Sequence, residues 1–138
     1  HVINYSKDDF AKEVKKITDN KGVSAVFDGV GKKTFHGSLA CLKTRGMMIS
    51  FGNASGPLDP VNVPKDLQPK GLFLTRPSIA QYFTNRKELQ DGADLIFEKI
   101  KFGKIKIRIS KKYKLAEAKQ AHADLEARKL TGPAILIP

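Results

Sequence analysis

Short apolar runs that alternate with amphipathic stretches most constrain how this chain can fold. Three runs, at residues 23–28, 47–51 and 72–75, are too short for helices and apolar enough for strands buried on both faces. Residues 133–137 predict another strand, and at 105–109 isoleucine alternates with basic residues, the two-residue period of a strand with one wet face. Strands that alternate with helices predict an α/β fold, a parallel sheet flanked by helices.

The helices between these strands are predicted from apolar residues at a 3.6-residue period. They fall at about residues 10–17, 33–43, 84 or 85 to 102, and 115–125. Ser6, followed three residues later by Asp9, can cap the first of them, and Gly103 can end the longest. Residues 52–71 carry four prolines and three glycines without a period, which predicts a long loop.

The charge balance is strongly basic. Among 138 residues there are 25 Lys and Arg against 14 Asp and Glu, a net charge of +11, which admits polyanions as partners. A single cysteine, Cys41, excludes an internal disulfide framework and is expected to be a small buried hydrophobe. No apolar run approaches the ~20 residues that span a bilayer, so we predict no membrane anchor and a reduced, cytoplasmic compartment.

Glycines follow two of the predicted strands. In parallel sheets, ligands bind beyond the carboxyl ends of the strands, so residues 28–31, 51–54 and 75–78 are predicted to meet at one edge and form one cleft. The glycines there allow either the close approach of a ligand or simply tight turns. Gly29-Val30-Gly31 lacks the third glycine of the dinucleotide motif, because Lys32-Lys33-Thr34 follows it.

Five stretches together carry a family resemblance. They are Asp-Gly-Val-Gly at 28–31, Gly-Met-Met-Ile-Ser-Phe-Gly-Asn-Ala-Ser-Gly at 46–56, Leu-Thr-Arg-Pro-Ser at 74–78, Ala-His-Ala-Asp-Leu-Glu-Ala-Arg at 121–128, and Ile-Leu-Ile-Pro at the end. The set resembles the C-terminal part of NADPH:quinone oxidoreductases, the zinc-independent, zeta-crystallin-like members of the medium-chain dehydrogenase/reductase superfamily.

The resemblance implies a partial Rossmann-like sheet. Residues 1–138 would be the C-terminal part of a dinucleotide-binding domain with its closing segment, without the first strand, the glycine-rich turn and a complete catalytic domain. It implies hydride transfer from NADPH to a quinone or enone, no catalytic side chain, no metal, and a homodimer. We expect the chain by itself to be inactive as a reductase.

The resemblance also implies a cofactor site. Tyr5 and Arg128 would meet the phosphate-bearing adenosine side of NADPH, with Val30 near the adenosine. The residues implied on the nicotinamide side are Phe51, Gly52, Asn53 and Ala54 beside the ribose, then Arg76, Pro77, Ser78 and Ile79. Ala54 stands where the family commonly has serine, so a side-chain contact with the cofactor is not expected there.

Simpler explanations compete at several of these positions. Tyr5 can be a partly buried aromatic residue, and Arg128 can complement a helix dipole. His122 and Glu126 lie four residues apart on one predicted helix, where a surface pair is more common than an acid–base pair. Asp28 is expected to make local hydrogen bonds at the end of its strand.

Residues 99–114 suggest a different function. This segment holds eight basic side chains and no acid. Such a patch can bind polyanions by releasing counterions, with a strong dependence on salt. The alternative to a reductase is therefore a basic RNA-binding module or a non-catalytic interaction module, although no aromatic RNA-binding motif accompanies the lysines.

Overall fold

The computed structural model describes all residues from 1 to 138, and the chain forms two compact units, residues 1–84 and 85–138. The predicted α/β class is confirmed, because every strand pairing is parallel and helices connect the strands. The strands form one three-stranded and one two-stranded sheet, which corrects the expectation of a single sheet. No helix combines the length and the apolar character needed to cross a membrane.

The first unit is built around the three-stranded sheet, in the order β1-β2-β3. Its elements are α1 (Phe10–Ile17), β1 (Val23–Asp28), α2 (Phe35–Cys41), β2 (Leu42–Ser50), β3 (Phe73–Thr75) and α3 (Ile79–Tyr82). Within the predicted loop 52–71 the chain makes two short helical turns, Val63–Leu67 and Gln68–Lys70. The loop prediction is therefore correct only for its first part.

The core of this unit lies between α2 and the central strand β2. Phe35 and Leu39 of α2 pack with Leu42 and Met48, and Met48 has no exposed surface. Cys41 is buried as expected, and that burial raises the pKa of its thiol. The sheet and α2 therefore share one apolar layer.

Strand β1 is less buried than its sequence predicts. Phe27 is 73% exposed, and Ser24 and Ala25 are exposed as well. The strand lies at the edge of the sheet and α2 packs against it, which covers only one of its faces. The composition of a strand does not reveal whether a second layer covers it, so burial on both faces was a wrong prediction.

Helix α1 begins at Phe10 because Asp9 caps it. The Asp9 carboxylate accepts hydrogen bonds from the backbone N–H groups of Ala11 and Lys12, at 3.1 and 3.2 Å. Ser6 lies outside the helix, so the predicted serine cap is wrong and the carboxylate three residues later has that role. After the helix Gly22 turns with φ +76°, and a Cβ there would lie 2.6 Å from the Cys41 carbonyl oxygen.

The ammonium group of Lys70 binds the carbonyl oxygens at the end of α2. Its Nζ donates to the carbonyl oxygens of Leu42, Ala40 and Leu39, at 2.7, 3.0 and 3.4 Å. These carbonyls lie where a helix leaves its last acceptors without internal partners. Burial lowers the pKa of Lys70, and the carbonyls compensate for the water that its ammonium group has lost.

The second unit contains a long helix and a small parallel sheet. Its elements are α4 (Arg86–Lys101), β4 (Lys111–Lys114), α5 (Ala118–Glu126) and β5 (Ala134–Ile137). Asn85 caps α4 by accepting a hydrogen bond from the Glu88 N–H at 3.0 Å, so the helix begins close to the predicted start at residue 84 or 85. Gly103, at φ +70°, follows the end of that helix.

The strand predicted at 105–109 is wrong. These residues form no regular structure and are exposed, whereas the strand lies at β4, where Lys111 pairs with Ala134. The pairing begins just before β4, because the Ser110 N–H donates to the Pro133 carbonyl at 2.8 Å. Strand β5 has four residues, and all four pair with β4. No strand residue therefore remains to pair with the alternating isoleucines of residues 105–109.

The two adjacent methionines of β2 provide a test of the core. Met48→Ala should lower the free energy of unfolding by about 2–5 kcal/mol, because the substitution leaves a cavity in a packed layer. Met47, which is 43% exposed, is the matched control, and Met47→Ala should cost about 1 kcal/mol or less. Urea denaturation measures both variants. Equal losses would contradict the assignment of Met48 to the core.

Candidate functional site

The parallel register brings three chain segments to one edge of the first sheet. Asp28 pairs with Ser50, and Ile49 pairs with Thr75, so β1, β2 and β3 end together. A hydrogen bond joins the first two segments directly at the strand ends, where the Phe51 N–H donates to the Asp28 carbonyl at 3.0 Å. The prediction that the three strand ends share an edge is confirmed. The prediction of one cleft is wrong, because the first segment lines one cleft and the other two segments line another.

Asp28 organises the first of these segments. Its carboxylate accepts from the backbone N–H groups of Val30 and Gly31, at 2.8 and 2.9 Å, and from the hydroxyls of Thr34 and Ser38, each at 2.8 Å. Burial alone would raise the pKa of Asp28, but these hydrogen bonds outweigh it and hold the pKa below its ordinary value. The local hydrogen bonds expected of Asp28 are confirmed, and they fix the turn into α2.

The first and second segments are in contact backbone to backbone. A Cβ on Gly52 would lie 2.2 Å from the Gly29 carbonyl oxygen, and a Cβ on Gly29 would lie 2.9 Å from the Phe51 ring. The space that these glycines leave is therefore filled by the chain itself. At Gly29 and Gly52, close packing of the two segments explains the glycines that the sequence left open to two interpretations.

Ser55 adds a second connection, which the sequence pattern does not reveal. Its hydroxyl donates to the Val30 carbonyl at 2.7 Å and accepts from the Lys33 N–H at 2.9 Å. The Ala54 N–H also donates to the Gly29 carbonyl, at 3.3 Å. The serine in a glycine-flanked turn was the available signal, but its partners lie more than twenty residues earlier in the chain.

Arg76 ties the third segment to the second. Its Nη1 donates to the Gly52 carbonyl at 3.2 Å, to Asn53 Oδ1 at 3.2 Å and to Ser50 Oγ at 3.4 Å. Arg76, Ser50 and Asn53 line a cleft of about 300 Å³, together with Leu58 and Leu74. One guanidinium group therefore connects the end of β2 with the end of β3.

Tyr5 lies near the end of β1, as its predicted role requires. It lines a cleft of about 230 Å³ with Gly29 and Val30. Its ring meets Phe10 edge to face, with centroids 6.4 Å apart and an interplanar angle of 76°. Tyr5 is exposed, so one side of the ring packs on Phe10 and the rest faces solvent.

The remaining predicted residues fall in two places. Pro77 and Ser78 follow Arg76, and Ile79 begins α3, where the Ser78 N–H donates to Gln81 Oε1 at 3.1 Å. Arg128 belongs to the second unit, just beyond α5, at a left-handed φ of +55°. Its N–H donates to the Leu125 carbonyl at 3.0 Å, and its guanidinium has no hydrogen bond or ion pair within the chain.

The second unit shows no acid–base pair at His122 and Glu126. Both residues are exposed on α5, and no hydrogen bond or ion pair joins them. In the whole chain, no group of three or more His, Cys, Asp or Glu side chains is placed to hold a metal ion. The sites with defined geometry are therefore the joined strand ends and the turn after α5.

Comparison with known proteins agrees with this geometry. A family model described as zinc-binding dehydrogenase matches residues 1–136. A 2-haloacrylate reductase from a Burkholderia species is 42% identical over 139 residues, covering 100% of this chain and 42% of the relative. A quinone oxidoreductase of Salmonella typhimurium is 44% identical over 139 residues, covering 99% of this chain and 42% of its own length.

The fold has a close match among solved structures. The structure of Escherichia coli quinone oxidoreductase complexed with NADPH superimposes with a TM-score of 0.93 at 42% identity, over 100% of this chain and 43% of that one. The fold described here therefore matches a part of that enzyme. The chain spans less than half the length of the relatives it matches.

Asp28 generates a prediction with a pH dependence. Asp28→Ala should lower the free energy of unfolding by about 3 kcal/mol, because it leaves buried donors without an acceptor. The folded pKa lies below the ordinary 3.8, so the carboxylate contributes stability above pH 3.8 that is lost as the pH falls through the folded value. The difference in unfolding free energy between the wild-type protein and Asp28→Asn should therefore become smaller in acid.

Urea denaturation between pH 2 and 7 measures that gap. The matched control is Asp59→Asn, because Asp59 is an exposed aspartate of the same unit, paired only with Lys32. It should change the unfolding free energy by about 0.5 kcal/mol or less. A gap for Asp28→Asn that is constant with pH would contradict the role assigned to the ionised carboxylate.

Proposed function

The chain belongs to the zinc-binding dehydrogenase family, and from this we propose that it supplies the cofactor-binding part of an NADPH-dependent reductase. The reaction is hydride transfer from NADPH to a quinone or enone. Relatives named as quinone oxidoreductases and a 2-haloacrylate reductase support this class of reaction. The observation that carries the proposal is the edge where three strand ends are held together by Asp28 and Arg76.

The joined edge fits a dinucleotide. Main chain contributes to its surface, because the glycines at 29 and 52 bring two segments into close contact. Segments 51–54 and 76–79 would bind the nicotinamide half, and Val30 with Tyr5 the adenosine half. Arg128 would bind the 2′-phosphate, for which a planar guanidinium offers paired charge-assisted hydrogen bonds.

The chain's contribution to catalysis is orientation. NADPH supplies the hydride when it is bound. The Asp28 carboxylate is not available as a base, because four donors already occupy its oxygens. The residues at the edge would therefore act by holding the cofactor in reactive geometry, which accounts for large rate factors by itself.

The donor side chains of this chain do not fit a zinc site. The family description names zinc, but no three His, Cys, Asp or Glu residues come together as zinc ligands must. We therefore propose a zinc-independent reaction. We also propose a cytoplasmic homodimer, in which β3, whose outer edge has no partner strand, pairs with its counterpart.

Substitution of Arg128 tests the proposed function. In the full-length protein, Arg128→Ala should raise the Kd for NADPH about tenfold or more, because a charge-assisted contact to phosphate is lost. The Kd for NADH should stay the same, since NADH lacks that phosphate. Arg76→Ala should weaken both cofactors alike. Cofactor fluorescence measures the four dissociation constants.

Arg86→Ala is the matched control for Arg128→Ala. Arg86 is an exposed arginine of the same unit, outside the proposed site, and its loss should leave both dissociation constants unchanged. If Arg128→Ala weakened NADPH and NADH equally, the proposed phosphate contact would be removed.

A second candidate function rests on the basic segment 99–114. All eight of its basic side chains are exposed, and residues 105–110 form no regular structure. An irregular cationic surface of this kind suits a polyanion such as RNA. Because residues 105–109 form no strand, both their basic side chains and their isoleucines are exposed to solvent.

Filter binding across salt concentrations separates the two functions. Replacing Lys104, Lys106 and Lys112 together by glutamine should abolish RNA binding, because three contacts with phosphates are lost. NADPH affinity should be unchanged. RNA binding that survives the triple substitution, or that ignores salt, would reject this second function.

A further inference from the structure

Asp124 of α5 is a buried carboxylate that the proposed function does not use. It is 5% exposed, and four side chains donate to it. These are Tyr113 Oη at 2.8 Å and Lys111 Nζ at 3.2 Å from β4, Gln120 Nε2 at 2.8 Å from α5, and Lys129 Nζ at 3.2 Å from the turn that follows. A charge is buried at such a cost only when it is fully paired, as it is here.

These contacts fix the turn that contains Arg128. The Lys129 N–H donates to the Asp124 carbonyl at 3.0 Å, so Lys129 is bound to Asp124 through both its backbone and its side chain. Its neighbour Arg128 stands at φ +55°. That left-handed conformation is unfavourable for an L-residue, so contacts on either side must hold it.

The same network decides which cation remains available. Lys111 and Lys129 are both ion-paired with Asp124, whereas the guanidinium of Arg128 has no partner in the chain. Hydrogen bonds from Tyr113, Lys111, Gln120 and Lys129, in that order, hold the pKa of Asp124 well below its usual range. The carboxylate is therefore ionised under all ordinary conditions, and the turn is held continuously.

We propose that Asp124 is a positioning residue for cofactor selection: it fixes the turn after α5 in the conformation that presents Arg128 to the 2′-phosphate of NADPH. It would act through Arg128 and would not touch the cofactor itself. The inference rests on the proposed function, because it assumes that Arg128 meets that phosphate. It predicts that a residue outside the site controls the preference for NADPH over NADH.

The test is a double-mutant cycle in the full-length protein. Asp124→Asn keeps the size of the side chain but removes its charge, and it should raise the Kd for NADPH about fivefold with little change for NADH. Added to Arg128→Ala, it should cause no further loss of NADPH preference, because the residue it positions is gone. A merely structural role would instead weaken both cofactors or add to the Arg128 effect, and either result would overturn the proposal.

Two milder variants keep the test decisive if Asp124→Asn does not fold. Tyr113→Phe and Lys129→Ala each remove one donor and keep the carboxylate, and each should lower the NADPH preference about threefold. The control is Lys119→Ala, an exposed cation on the same helix without a partner, which should change nothing. An unchanged preference in both milder variants would overturn the proposal.

The outcomes also separate this inference from the proposed function. If Arg128→Ala itself left NADPH binding unchanged, the phosphate contact would be wrong and Asp124 would have nothing to position. If Arg128→Ala reduced the NADPH preference and none of the Asp124 network variants did, the proposed function would stand and only the positioning role would fail.

Discussion

The hydrogen bonding of Asp28 is the interaction on which the edge of the first sheet depends. Its side chain holds the turn after β1 and the start of α2, through Gly31 and Ser38 among others. Its carbonyl oxygen accepts the N–H groups of Phe51 and Gly52, which begin the next segment. One residue therefore fixes the position of two strand ends, and Arg76 needs only to attach the third.

The first two segments of this edge are held together by several contacts. They meet at Gly29 and Gly52, where the Phe51 ring packs against Gly29. The Ser55 hydroxyl also binds the first segment through two hydrogen bonds. Such an arrangement suits a protein whose proposed role is to hold a cofactor in a reactive orientation, where small displacements lower the rate.

Both units contain a buried aspartate that is bound by several hydrogen-bond donors. Each buries one aspartate, Asp28 or Asp124, and surrounds it with four donor groups from neighbouring elements. A buried carboxylate that lost a donor would be strongly unfavourable, so each network tolerates a single arrangement of its elements. In the first unit that arrangement shapes the edge, and in the second it shapes the turn at Arg128.

The sequence by itself determined what depends on near neighbours. The bounds of β1, the start of α4 and the glycine after α4 follow from period and capping chemistry, which act over a few residues. Only the tertiary structure decided that residues 105–109 would not become a strand, that one face of β1 would stay open, and that Asp124 would gather partners from three segments. Pairing and burial are contacts between residues far apart in the chain, and no local pattern specifies which distant partner will be there.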